Sequence, residues 1–334
     1  MRVLVSGAFG NVGRSTLAAL ADEGAEVRVL EADTRQNRRL APRLRKELGR
    51  RGKPAFSSLV LGDVREAAVA ARAVADQDAI IHLAALIPPA ADKQPELAHS
   101  VNVGGTAALI EAAKASPARH PRFVLASSIA AYGDRLQNFW ISATDPLSPS
   151  PGDAYGRSKV EAEALVRDSG LPFSILRLTY IVWRKKLARD PLMFHMPLAT
   201  RIEICHTEDT GRAFAAAALN PAALGRTFDI GGGETCRTSY RDYLDAMFRL
   251  FGLGGFGRVP ESAFAPSGFH CGWYADSDEA ERILGFRRKT LADYYVEVAE
   301  EAGWKRIAAR LFRPFIRAGI AAKSPFLNRN AEKA

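Results

Sequence analysis

Cysteine is scarce in this chain: Cys205, Cys236 and Cys271 are odd in number, lack the paired spacing of a metal site, and read as reduced thiols. No apolar run approaches the roughly 20 residues that cross a bilayer, and no signal-peptide pattern precedes the first apolar segment. A cytoplasmic location is therefore the expectation. Internal repeats and low-complexity stretches are also missing. Acidic residues are sparse in two places, and these account for the net charge of +9. Residues 35–53 carry nine Lys/Arg against Glu47, and residues 301–334 carry eight against Glu301 and Glu332. The first segment, "RQNRRLAPRLRKELGRRGK", holds no aromatic residue on which a base could stack. It reads as a solvated basic helix, and a nucleic-acid partner is not expected.

What is present is enough apolar sequence, 47% of 334 residues, to bury a large core as one domain or two unequal ones. Apolar runs at 2–6, 26–31, 56–61, 79–84, 122–127 and 173–178 alternate with helical patterns, the longest of them over 95–115. Strands apolar on both faces and separated by helices imply a parallel sheet covered on both sides. The expected fold class is α/β, a doubly wound, Rossmann-like parallel sheet with a smaller C-terminal substrate-binding portion. The expected division is a dinucleotide-binding domain over 1–178 and a mainly substrate-binding portion over 179–304, returning to the sheet near 201–231. A basic amphipathic tail occupies 305–334.

The first strand ends at Ser6 and is followed by Gly7, Gly10 and Gly13 before a helix begins. Gly7 permits a tight turn, Gly10 lets the backbone approach a pyrophosphate, and Gly13 lets the helix pack closely on the sheet. Glu31, at the end of the second strand, is placed to accept hydrogen bonds from an adenosine ribose. Asp33 is a competing carboxylate, and Arg35 would favour a 2′-phosphate. NAD is expected over NADP, because a carboxylate at the strand end repels that phosphate.

The Gly7-x-x-Gly10-x-x-Gly13 spacing, with "LGDVRE", "IIHLAA", "NVGGT", "LASSIAAYG" and "YGRSK", resembles the extended short-chain dehydrogenase/reductase family, its NAD-dependent epimerase/dehydratase-like branch. The resemblance covers roughly residues 1–300. It implies a cofactor site in which Phe9, Asn11 and Val12 complete the glycine turn, Asp63 bonds the adenine amino group and Val64 packs on the ring. Leu83, Ala84 and Ala85 would pass beside the cofactor, with Asn102, Ser127, Tyr155, Lys159, Thr179 and Ile181 as further contacts. It also implies a catalytic set of Ser128, Tyr155 and Lys159. Ser128 is preferred to Ser127 because it stands four positions before Tyr132-Gly133.

Tyr155 and Lys159 share a helix face by their spacing alone. An ammonium and a positive nicotinamide both favour a phenolate, so Tyr155 could exchange a proton with a substrate oxygen during hydride transfer. His82 and His206, near strand ends, read as satisfied structural groups. One departure from the family pattern stands in "TYIVWRKK": Thr179 and Tyr180 replace a Pro-containing stretch, and Trp183 replaces a turn glycine. Trp183 is either a pocket wall or core packing.

Only about 25 residues separate "LRLTY" from "HTEDT", too few to build a second nucleotide cleft, although Arg184, Lys185, Lys186 and Arg189 could supply charge. The Leu192, Met193, Phe194 and Met196 cluster either lines an apolar pocket or seals the core. The expected function is an NAD-dependent oxidoreductase interconverting a secondary alcohol and a ketone on a hydrophobic small molecule, steroid-like compounds included. The alternatives are a nucleotide-sugar epimerase/dehydratase and a non-catalytic redox sensor, and a homodimer is the expected assembly. The tail "WKRIAARLFRPFIRAGIAAKSPFLNRN" is expected to dock on the body or a second subunit in preference to a membrane surface.

Overall fold

The computed structural model describes residues 1–327 apart from residues 51, 53, 117–119, 185–191 and 258. Lys185, Lys186, Arg189 and the last seven residues of the tail lie outside the described residues. In chain order the first elements are β1 (Arg2–Ser6), α1 (Asn11–Asp22), β2 (Glu26–Glu31), α2 (Arg35–Glu47), β3 (Ser58–Leu61), α3 (Ala67–Val74), β4 (Ala79–His82) and β5 (Arg122–Ser128). Strands Phe173–Leu178 and Arg226–Ile230 complete a seven-stranded sheet in the order β3-β2-β1-β4-β5, then Phe173–Leu178, then Arg226–Ile230. Every pairing in it is parallel.

Alternation along the strands explains the layers. Val3 and Val5 enter an apolar cluster with Leu17, Leu20 and Phe214, whereas Leu4 enters the opposite cluster with Val69, Leu109 and Ile175. Each fully buried aliphatic chain contributes about 1.5–3 kcal/mol, so both sheet faces must be covered by helices. The strand order reverses between β1 and β4, which opens a crevice at their carboxyl ends.

Three boundaries differ from the sequence pattern. The run at 56–61 forms a strand only from Ser58, and Phe56 before it is buried with its ring centroid 6.1 Å from that of Phe9. The run at 79–84 leaves the ladder after His82, where Leu83 and Ala84 border the glycine turn. The helix over 95–115 divides into Pro95–His99, a π-helical turn Ser100–Gly104, and Gly105–Lys114. Of the stretch 201–231, Arg226–Ile230 joins the central sheet. Arg201–His206 instead lies between Tyr180–Val182 and Arg237–Ser239 in a three-stranded sheet.

A separate apolar cluster fills the C-terminal part, with Phe194, Met196, Tyr240, Tyr243, Phe248 and Phe264 among its buried members. The basic α2 buries only Ala41 and Leu44. Its Arg38 and Arg43 pair with Asp33 and Glu47, and Arg45 donates to the Phe56 and Ser57 carbonyls.

Candidate active site

A cavity of about 1420 Å³ opens at the carboxyl ends of β1 and β4. It exceeds the 300–1,000 Å³ or so typical of a single small-molecule site. One end is the glycine turn. Gly7 has φ +72°, and a Cβ there would sit 2.6 Å from the Ala84 nitrogen. At Gly13 a Cβ would lie 2.4 Å from the Gly7 carbonyl, so the first turn of α1 can press onto the loop only without one. Gly10 is different, since its Cβ position meets only the Gly7 carbonyl at 3.5 Å and otherwise faces open space.

The start of α1 has no side-chain cap and no acidic residue. Its unsatisfied N–H groups and the positive end of the helix dipole therefore face the cavity. Glu31 closes the same end, accepting from the Phe9 N–H at 2.6 Å and from Asn37 Nδ2 at 3.3 Å. Burial pushes its carboxyl above the ordinary range, opposed by hydrogen bonds from the Phe9 and Ala32 backbone. Asp33 also borders the cavity, but it is exposed and paired with Arg38, which holds it below the ordinary range. Gln36 and Asn37, not Arg35, complete this wall. Asp63 and Val64 line it too, Asp63 being gripped by Arg65. A helix N-terminus for phosphates beside a carboxylate for ribose hydroxyls fits a dinucleotide.

The centre of the cavity is bordered by Ser127, Ser128, Tyr155 and Lys159. β5 delivers the serines, and helix Ala154–Asp168 delivers Tyr155 and Lys159 one turn apart. Asp153 fixes the start of that helix by accepting from the Gly156 N–H at 2.8 Å. The Ser128 hydroxyl accepts from the Ala130 N–H at 3.2 Å and hydrogen-bonds Tyr155. Ser127, expected at the cofactor, lines the cavity but donates its proton to Glu163.

Lys159 Nζ donates to the Ala126 carbonyl at 2.8 Å and lies 5.6 Å from the Tyr155 ring centroid. Burial pushes Lys159 down to about 8, partly opposed by the Glu163 carboxylate. Burial likewise pushes Tyr155 up to about 12, opposed by the Ser128 hydrogen bond. Burial thus favours the neutral phenol, the form that carries a transferable proton.

Asn102 does not form a wall. The π-helical turn aims its amide at the Leu86 backbone, accepting from N–H at 2.7 Å and donating to C=O at 3.1 Å, and it also donates to Ser158 at 3.0 Å. It thus ties the loop after β4 to the Tyr155 helix. Thr179 lines the cavity while donating to the Glu203 carbonyl at 2.6 Å, and Ile181 lines it as well. His82 bridges Ser6 and Thr106 at 2.7 and 3.1 Å. His206 bonds Glu297 and accepts from the Glu208 N–H. Both histidines are engaged structurally.

The sequence reading missed Glu163. Burial raises its carboxyl, but hydrogen bonds from Arg177, Ser127 and Arg167 outweigh this and hold it below the ordinary range. Its position one turn after Lys159 was the available signal. Glu163 is not itself a wall; the walls that the sequence did not reveal include Leu86 to Pro89, Tyr240, and Phe269 to Cys271. Both readings of the apolar segment hold: Trp183 and Leu192 line the cavity, Met196 lines it while belonging to the buried C-terminal cluster, and Phe194 packs against Phe264 with ring centroids 5.1 Å apart.

Comparison with known proteins accords with this geometry. The D-erythronate dehydrogenase of Cupriavidus necator is 32% identical over 111 residues, 33% of this chain and 33% of that protein. A 3 beta-hydroxysteroid dehydrogenase/Delta 5-->4-isomerase of Mycobacterium tuberculosis is 30% identical over 172 residues, 49% of this chain and 42% of that one. The chain thus spans less than half the length of these curated relatives. The structure of a UDP-glucose-4-epimerase from Stenotrophomonas maltophila, with bound NAD and formylated UDP-arabinopyranose, shares the fold. Its TM-score is 0.73 at 21% identity, covering 93% of this chain and 99% of that one. Residues 3–231 match the NAD dependent epimerase/dehydratase family. The chain belongs to that family.

Proposed function

We propose that this enzyme interconverts a secondary alcohol and a ketone on a hydrophobic small molecule, with NAD as cofactor. The observation that carries this reading is the apolar and aromatic stretch of the cavity's lining. Trp183, Leu192, Met196, Tyr240 and Phe269 border the same cavity as Ser128 and Tyr155. These described residues reward apolar surface.

The glycine turn and the α1 N-terminus would hold the pyrophosphate, and Glu31 would hold the adenosine ribose and disfavour a 2′-phosphate. Bound NAD supplies the hydride acceptor, and in its reduced form the hydride donor. In ketone reduction, Tyr155 enters as the neutral phenol and gives its proton to the carbonyl oxygen as the alcohol forms. Ser128 donates a second hydrogen bond to that oxygen and so orients the carbonyl. Lys159, anchored on Ala126, stabilises the phenolate left on Tyr155. In alcohol oxidation the proton returns to Tyr155.

The test is thermal shift and NADH consumption with apolar cyclic ketones, set against UDP, GDP and dTDP sugars at matched millimolar concentration. Ligands of the native state raise its apparent stability by mass action. Ketones should stabilise the NAD-bound protein and oxidise NADH. A shift with a nucleotide sugar and none with ketones would promote the epimerase/dehydratase chemistry instead. Tighter binding of NADPH than NADH would overturn the role given to Glu31.

A further inference from the structure

Exposed apolar side chains are concentrated at one place on this molecule. Trp304, Ile307, Leu311, Phe312, Phe315 and Ile316 are six of the eleven large hydrophobic residues exposed among the described residues. Leu311 and Phe315 are 76% and 78% exposed. They stand on two short helices, Lys305–Leu311 and Arg313–Ala321, that meet at Phe312. Ile307 and Leu311, four residues apart on the first helix, share one of its sides, and Phe312, Phe315 and Ile316 are exposed at the junction and on the first turn of the second.

The other side holds the pair of helices onto the body. Ala309 and Ile320 pack against the C-terminal apolar cluster, and Arg317 donates to the Gly255 carbonyl. Just beyond, Ser324 Oγ donates to the Ala263 carbonyl at 2.6 Å. The segment is thus docked on the body, as the sequence suggested, yet its apolar face points outward. A contiguous exposed patch of this kind marks an interaction surface.

Charge identifies what covers it. Between Glu301 and Glu332 the sequence has no Asp or Glu, while Lys305, Arg306 and Arg310 stand exposed on the same short helix as Ile307 and Leu311. In a two-fold contact through this face, each copy would set these cations against their own equivalents with no carboxylate on the segment to pair them. An anionic bilayer satisfies both halves of the surface: phosphates meet the cations, and the Trp, Leu and Phe side chains enter the headgroup boundary.

We propose that the helices over 305–321 form a peripheral docking face for an anionic lipid surface. No described helix is long and apolar enough to cross a membrane, so the segment lies on the bilayer. The docking does not depend on the reaction assigned to the cavity.

The test is sedimentation of the full-length protein with vesicles of phosphatidylcholine alone and of phosphatidylcholine mixed with phosphatidylglycerol. Binding is expected to the mixed vesicles only and should fall as salt rises. Lys305→Ala/Arg306→Ala/Arg310→Ala should weaken it on the order of a hundredfold, since each cation near such a surface contributes about one kcal/mol. Leu311→Asp/Phe315→Asp should abolish it while leaving the NADH-induced thermal shift intact, because both side chains are exposed. Equal sedimentation of the wild-type and Leu311→Asp/Phe315→Asp proteins would overturn the proposal. So would a wild-type dimer that ignores vesicles and becomes monomeric in that variant, which would assign the face to a second copy.

Discussion

Tyr155 experiences opposed influences. Burial favours its phenol, and the Ser128 hydrogen bond favours its phenolate, with burial prevailing in the protein by itself. An environment that holds a proton at neutral pH suits a group that must deliver one. Tyr155→Phe keeps the ring and removes the hydroxyl that carries the transferable proton and meets Ser128. Turnover should fall by at least about a hundredfold, the scale of a lost general acid. Dinucleotide binding should persist, as read by NADH-induced thermal shift. Comparable activity in the two proteins would remove Tyr155 from the mechanism. Spacing makes the Tyr155/Lys159 pair visible in the sequence, because four residues on a helix fix a shared face. The partition of Ser127 from Ser128 is a matter of side-chain direction at the end of β5, where one turns to Glu163 and the other to Tyr155.

Within single elements, the glycine turn separates two requirements that spacing alone merges. Gly13 is needed by the fold, since a Cβ there would meet backbone atoms of Gly7 and Ala8 at 2.4–2.6 Å. Gly10 is not needed by the fold, since its Cβ position has room. Gly13→Ala should therefore destabilise the protein by roughly 1–3 kcal/mol, the usual cost of overpacking, and also weaken cofactor binding. Gly10→Ala should unfold normally in urea and weaken NAD binding alone, because its methyl would enter the space left for the pyrophosphate. Urea titration and NADH fluorescence titration on the two variants check this split. The π-helical turn carrying Asn102 is another such device, because its additional residue redirects an amide toward the loop after β4. A continuous helical pattern over 95–115 gives no sign of it, since both helix types repeat apolar residues similarly over one turn.

Across the molecule, buried ionisable groups couple stability to pH. His82 is held between Ser6 and Thr106 inside the sheet, and burial, with the nearby Lys159 charge, pushes it down to about 3. The unfolded chain, at the ordinary value of 6.5, takes up the proton first as pH falls. The His82 contribution to stability is thus complete above pH 6.5 and is lost between 6.5 and about 3. At about 1.4 kcal/mol per unit, the loss from pH 7 to pH 5 is roughly 2 kcal/mol. His82→Gln keeps hydrogen-bonding atoms but cannot protonate in this range. Urea unfolding at the two pH values should show a correspondingly flatter dependence in the variant, and an unchanged dependence would exclude His82 as its source.

The sequence by itself determined what depends on neighbours along the chain. Strand alternation, the Gly7-Gly10-Gly13 turn, the carboxylate ending β2 and the Tyr155/Lys159 helix are all local patterns, and chain sterics impose them wherever the segment sits. Only the tertiary structure decided which distant segments meet. Phe269 to Cys271 and Tyr240 reach the same cavity as residues from β1 and β4, and Arg177 finds Glu163 across the layers. The exposed tail face was decided at that level too. Amphipathic spacing shows that a helix has two sides, but which side is buried depends on what the rest of the chain places against it.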